Sequence, residues 1–426
     1  MTMAVFLLKW GLFIVMCIPM FLQLKVTLEG LYVQTILTHH YKSQSRQLAH
    51  KYDSSRMKVD HLNVKLGTNT YDPDPFSQIH KGNISGQEHP QKENATLLML
   101  VRNEELEGAL ESMRSLEDRF NKDYQYDWTF LNDVPFTPGF ILATTAMASG
   151  KTQYGLIPSE DWDRPDWIED NKFTKCMNKM KEDDVMYGDS VSYRNMCRFN
   201  SGYFFRQELL MDYDYYFRVE PNVGYFCDLP YDPFKVLRER KAKYGFVISL
   251  YEYENTIPTL WDAVSEYIVE DNGRDVQMDR NYYGFITDKS QVGRFLPAVE
   301  SNSDYNLCHF WSNFEVGDLN FFRSEQYLNY FNHLDSKGGF YYERWGDAPV
   351  HSIGASLLLK DEEIIHFDQI SYCHPPFYSC PTAMYGRLDQ RCICDSENEF
   401  SIDIRPHSCL MRWWKNGSGK HFIKEG

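Results

Sequence analysis

The chain has 426 residues, more than one average domain, with 43% hydrophobic and 15% aromatic side chains and a formal net charge of −16. So acidic a surface repels phosphate backbones and excludes nucleic acid as a partner class, although a nucleotide diphosphate can still bind if a cation bridges the two. The abundant Tyr and Trp residues suit carbohydrate binding and large aromatic cores about equally.

The only long apolar run lies at the start, Ala4 to Leu8 and Trp10 to Leu22, interrupted by Lys9. It is just long enough to span a bilayer, with Lys9 snorkelling towards the headgroups. No clear small-x-small cleavage site follows, which favours an uncleaved anchor over a cleaved signal peptide. The expected division is a cytoplasmic tail over 1–3, a transmembrane signal anchor of type II over 4–25, a polar stem over 26–92 and a lumenal domain over 93–426. Charge flanks do not set the orientation. Three sequons do, at Asn83, Asn94 and Asn416, and they are the candidate N-glycosylation sites. The cysteines agree. Nine of the ten follow the anchor, and Cys380, Cys392, Cys394 and Cys409 crowd the C-terminus. Cys392-Ile393-Cys394 has the wrong spacing for zinc and no second pair, so disulfides in an oxidising lumen are expected. Those four cysteines allow three pairings among themselves, which the sequence leaves open. The odd number leaves at least one lumenal thiol free or paired between chains.

Order is expected from Ala95. Thr96 to Val101 is a continuously apolar strand covered on both faces. Asn103 is the expected cap of a helix with Glu104 and Glu105 in its first turn and an apolar stripe of Leu106, Ala109, Leu110, Met113, Leu116 and Phe120. A strand at Trp128 to Leu131, a helix at Phe140 to Ala148 and a strand at Tyr154 to Ile157 follow. This β-α-β alternation predicts an α/β fold, a parallel sheet with helices on both faces that binds ligands beyond the carboxyl ends of its strands. Later strands are expected at Tyr213 to Val219 and Tyr244 to Tyr251, a surface insertion at Asp271 to Asp304, and a loop-rich, cysteine-rich wrap from about Ile364.

No Walker loop, Gly-x-Gly-x-x-Gly or Gly-x-Ser-x-Gly is present, so the kinase, dinucleotide-dehydrogenase and α/β-hydrolase readings lose their usual signatures. Four blocks carry chemistry instead. Glu220-Pro221-Asn222 ends an aromatic strand, where a carboxylate can hold a divalent cation against a pyrophosphate or can simply terminate the strand. Cys308 to Glu315 mixes aromatics with Ser, Asn and a carboxylate; Glu315 is either a nucleophile, base or sugar contact, or a solvated residue at a helix start. Gly338 to His351 offers an Arg344–Asp347 ion pair, or an Asp347 that binds sugar hydroxyls. His374 precedes two prolines in an aromatic stretch.

Together with Met99 to Asn103, Leu106 to Glu117, Phe130 to Phe136 and Gly188 to Arg194, these blocks resemble the fungal Golgi α-1,2-mannosyltransferases of glycosyltransferase family 15 over about residues 95–415. The resemblance implies a GT-A-like nucleotide-sugar-binding fold, with a mainly parallel mixed sheet flanked by helices and an N-terminal membrane anchor. It makes the lumenal domain catalytic and places the chain in the Golgi membrane as a single-pass type II protein. It implies GDP-mannose as donor, a mannose-terminated N- or O-linked glycan as acceptor, Mn2+ as cofactor and association with other transferases. Position by position, it implies Glu220 and His374 as metal ligands, Glu315 as candidate nucleophile, and Tyr193 and Glu252 beside the sugars. Asn222 and Asp347 are the implied substrate contacts, with Asn222 standing where many members have Asp. Mannosylphosphate transfer from the same donor and a non-catalytic glycan-binding role are the alternatives.

Overall fold

The computed structural model describes residues 91–416, except 279–280, 293–297, 361, 383, 399 and 404, with the side chains of 384–386 also left aside. The expected tail, anchor, most of the stem and Asn83 lie outside the described residues. Among the described residues no helix is long and apolar enough to cross a membrane.

Eleven strands are formed among the described residues. They are β1 (Ala95–Leu100), β2 (Asp127–Asn132), β3 (Thr152–Leu156), β4 (Tyr215–Arg218), β5 (Tyr244–Phe246), β6 (Ser249–Tyr251), β7 (Cys308–Phe310), β8 (Glu315–Asp318), β9 (Ile364–His366), β10 (Tyr372–His374) and β11 (Phe377–Ser379). Seven of them make one sheet in the order β3-β2-β1-β4-β8-β5-β9. All its pairings are parallel except those of β8, which runs against both β4 and β5. The helices that matter below are α1 (Leu106–Leu116), α2 (Pro138–Met147), α3 (Val191–Gly202), α4 (Glu325–Ser336) and α5 (Asp347–Leu358).

The sheet is buried on both faces, which is why β1 reads as an unbroken apolar run. Leu97 and Met99 enter one apolar cluster with α1 residues Ala109, Met113 and Leu116, while Leu98 enters the cluster on the other face with residues of α4 and α5. Strand β4 divides in the same way, Tyr216 to one cluster and Phe217 to the other. The order 3-2-1-4 reverses direction at β1, so the carboxyl ends of β1 and β4 flank a topological switch point.

Four expectations need correction. Asn103 does not cap α1 with its side chain. It lies in a preceding 3-10 turn, where its amide donates to Pro135 O and its carbonyl accepts from Thr137 N, pinning the loop after β2. The N–H of Arg102 is taken instead by the Glu105 carboxylate, at 2.9 Å. The single strand expected over Tyr244 to Tyr251 is two strands in different sheets, because the chain leaves the main sheet at Val247. There Val247 O accepts from His366 Nε2 and Ile248 O from Trp311 N. Glu315 is not at a helix start but opens β8, wholly buried. Of the four C-terminal cysteines only Cys380 and Cys394 pair together; Cys392 bonds Cys227 and Cys409 bonds Cys308, tying the C-terminal wrap to the core. Cys176, Cys197 and Cys373 are free.

One buried carboxylate lies away from the switch point. Glu117 follows α1 and accepts from Trp128 Nε1 at 2.7 Å and Asn121 Nδ2 at 2.8 Å. Burial raises its carboxyl above the ordinary value, and those hydrogen bonds offset the effect only in part. An acid raised in the folded state stabilises most below its unfolded value of about 4.3, and that contribution is lost as pH rises through the folded one. Glu117→Gln should therefore gain stability relative to the wild type between pH 4.5 and pH 7.5, as measured by urea unfolding at both pH values.

Candidate active site

The switch point opens into a cleft of about 380 Å³. Val101 and Arg102 line it from the end of β1, Asn132 from β2, Tyr193 from α3, Glu220 from the end of β4 and Glu315 from β8.

Its floor follows from strand register. Tyr216 and Gly317 are partners across β4 and β8, as are Arg218 and Glu315, and Tyr244 of β5 is also opposite Gly317. Partners share a face, so these five residues lie on one side of the sheet. Gly317 makes the arrangement feasible, since a Cβ there would come 2.7 Å from the Tyr216 ring. Over that bare backbone both tyrosines reach diagonally to Glu315: Tyr216 O–H donates to Oε1, and Tyr244 O–H donates to Oε2 at 2.6 Å.

Helix α5 closes the site from above. Asp347 and His351 are one turn apart on one helical face. Asp347 Oδ2 accepts from Arg218 Nη1 at 2.5 Å and from Ser312 Oγ at 2.8 Å. His351 Nδ1 lies 2.8 Å from Glu315 Oε2, and its Nε2 donates to Asn200 O at 2.9 Å. Burial pushes the Glu315 carboxyl up, but the adjacent His351 and Arg218 outweigh it, and the net shift is downward. Asp347 is likewise lowered, Arg218 and His351 overcoming its burial. Both carboxyls are therefore shifted towards the ionised form although their side chains are buried.

At the rim, Glu220 uses Oε1 to accept from Arg218 Nη2, at 2.5 Å, and Nε, at 3.1 Å. Its other oxygen, Oε2, faces His374 Nε2 at 3.7 Å. The two meet because a main-chain bridge, Gly224 N to Cys373 O and Cys373 N to Gly224 O, fastens the β10–β11 hairpin to the segment following Glu220. A carboxylate oxygen and an imidazole nitrogen facing one another form a donor pair able to hold a divalent cation, and the carboxylate oxygen is the hard donor that suits Mn2+.

Of the residues singled out from sequence, Tyr193, Glu220 and Glu315 line the cleft and His374 stands against Glu220. Ser190 caps α3 by accepting from Tyr193 N, which fixes the tyrosine in the first turn. The ring of Tyr193 stacks on Tyr187 at 4.5 Å, with the Arg344 guanidinium 5.0 Å from its centre. Arg344 is also 3.9 Å from Glu252, and neither of these two residues lines the cleft. The Arg344–Asp347 pair, one of the two readings of that block, gives way to Arg218–Asp347, and Asp347 bonds to Arg218 and Ser312. Asn222 is not brought to the cleft. It sits at φ 62°, a conformation Asn tolerates, with its amide packed against Gly108 of α1. Asn94 donates to Asp212 O and Asp214 Oδ2, and Asn416 donates to Asp288 Oδ2.

Sequence reasoning missed Arg218, Tyr216, Tyr244, His351 and Asn132. Arg218 stood two residues before Glu220, and a lone cation in an aromatic strand was the available signal. Asn132 is 1% exposed and its Nδ2 has no hydrogen-bond partner, leaving a donor ready for a ligand at the β2 end of the cleft.

The chain matches the family model described as glycolipid 2-alpha-mannosyltransferase over residues 45–418. It is 63% identical over 385 residues to the probable mannosyltransferase YUR1 of Saccharomyces cerevisiae, covering 90% of each chain. It is 46% identical over 323 residues to the alpha-1,2 mannosyltransferase KTR1 of the same yeast, covering 76% of this chain and 78% of that one. Among solved structures it resembles core-mannan synthase A of Aspergillus fumigatus in its Mn/GDP form, with a TM-score of 0.70 and 36% identity, covering 82% of this chain and 95% of that one.

Arg218→Met strands two carboxylates and should cost about 3–5 kcal/mol of unfolding free energy. Adding Asp347→Asn removes the more deeply buried of the two, and should recover part of that loss in urea unfolding of the double variant.

Proposed function

The chain belongs to the glycolipid 2-alpha-mannosyltransferase family, glycosyltransferase family 15, and we propose that it transfers mannose from GDP-mannose to an α-mannoside on a glycoprotein glycan. The observation that carries this reading is the cleft at the switch point, with Glu220 and His374 facing each other at its rim and the ionised Glu315 on its floor. The Mn/GDP form of the related core-mannan synthase supports the same nucleotide and cation here. Glu220 and His374 would hold Mn2+, which when bound neutralises the charge of the departing diphosphate. The orphan donor of Asn132 is available to the nucleoside. The α-1,2 linkage is supported by the likeness to KTR1. Golgi location and a type II anchor rest on the apolar run from Ala4 to Leu22, broken only by Lys9, and on the family resemblance.

An α-linked donor that yields an α-linked product requires retention. The site favours a front-face route, because both oxygens of Glu315 already accept hydrogen bonds, from Tyr216, Tyr244 and His351 together. A carboxylate so engaged is a weak nucleophile and a strong fixed anion. In this route the acceptor oxygen bonds to the anomeric carbon as the bond to the β-phosphate oxygen breaks. The hydroxyl proton passes to that phosphate oxygen, and Glu315 stabilises the positive charge developing on the sugar. Tyr193, held over Arg344, provides an apolar wall beside the donor sugar.

Incubation of the lumenal domain with GDP-mannose, Mn2+ and α-mannobiose should give a 1,2-linked trisaccharide, read by linkage analysis. A mannosylphosphate product would instead select the alternative reading. Chelation should reduce turnover by about 100-fold or more, reversibly, and Glu315→Gln should do the same while leaving GDP binding intact. Full turnover without divalent cations would sink the metal assignment.

A further inference from the structure

His351 has so far entered only as a neighbour of Glu315 and Asp347, yet it is 1% exposed and bonded through both ring nitrogens. Burying a histidine in an aromatic layer of Phe204, Phe322 and Tyr327 costs free energy that a purely structural position would avoid by using an apolar residue. The acceptors decide what it does. Asn200 O is a carbonyl and can only accept, so Nε2 carries a proton. On the other side Glu315 Oε2 already accepts from the Tyr244 hydroxyl. With the Arg218 cation opposite Glu315 across β4 and β8, an ionised carboxylate is accommodated there, and Nδ1, 2.8 Å from an oxygen that already accepts from Tyr244, then donates as well.

We propose that His351 is a positioning residue that keeps a doubly protonated ring against Glu315, holding that carboxylate charged and fixed beside the reacting sugar. The groups facing the pair are Tyr216 and Arg218 from β4, Tyr244 from β5, Tyr327 from α4, Asp347 from α5 and the Asn200 carbonyl from α3. Apart from His351, only Arg218 among them carries positive charge, and it already serves Asp347 and Glu220. Glu315 therefore depends on His351 for a cation of its own. Asp347 and His351 stand one turn apart, so α5 sends an anion to Arg218 and a cation to Glu315 from one face and sets the spacing of both pairs.

This inference rests on the transferase reading of the cleft, and the test separates the two. The wild type and His351→Gln are assayed for mannose transfer from GDP-mannose between pH 6 and pH 8.5. Glutamine can still donate to Glu315 but supplies no charge. The expected result is a kcat loss of about 100-fold at pH 6 that narrows to about 10-fold at pH 8.5, because an unsupported Glu315 ionises later, with the donor KM changed by less than about threefold. A loss equal at every pH, or no loss, overturns the proposal. If the wild type transfers nothing, it is the transferase reading that fails. Neutron diffraction from the deuterated wild type decides the charge without any variant, including the case in which His351→Gln does not fold. Deuterium on both ring nitrogens is expected, and deuterium on one alone overturns the proposal.

Discussion

One guanidinium sets the geometry of the cleft. Arg218 is largely shielded from water at the end of β4, its side chain 11% exposed, and a cation there is best tolerated with carboxylates around it. Burial pulls its charge down, but Asp347, Glu220 and Glu315 outweigh that and hold it above its ordinary value. The planar fork gives one nitrogen to Asp347 on α5 and two to Glu220 at the rim. A lysine could satisfy the charge but not both directions at once. The distance between the strand end and the first turn of α5 is thus set by a rigid, flat group, and Glu315 inherits its position from the register that places it opposite Arg218.

The sheet was largely legible because its first half is written in two simple periods. The run at Leu97, Leu98 and Met99 and the stripe at Ala109, Met113 and Leu116 each specify an element without help from the rest of the chain. Strands β5 and β6 were not separable in sequence, because the turn at Val247 and Ile248 is apolar and its carbonyls are satisfied by His366 and Trp311, far along the chain. The cysteine pairing failed to show for the same reason: Cys227 and Cys308 lie 165 and 101 residues from their partners.

The site was legible as residue types and illegible as a network. Glu220, Glu315 and His374 stand out as polar residues in aromatic company. What holds the Glu315 carboxylate is spread over three strands and a helix: two tyrosines, the bare backbone of Gly317 between them, and a histidine from α5. Tyrosines are so common in this chain that two more carry no signal, and a glycine in a strand announces close approach without saying to what. Asn222, by contrast, invited a chemical reading because it neighbours Glu220. Its backbone conformation and its contact with Gly108 show that the position answers to the turn and to α1.

Glu220 and His374 are brought face to face by a pair of reciprocal hydrogen bonds between the main chains of Gly224 and Cys373. Backbone groups are the same whatever side chains they carry. The alignment of these two residues, 154 positions apart in sequence, is therefore insulated from substitution at the very positions that enforce it. A side-chain change at Cys373 that spares the backbone leaves both hydrogen bonds, and with them the attachment of the hairpin, in place. A lineage of such proteins is in this way free to remodel what enters the cleft from that side while keeping the rim intact.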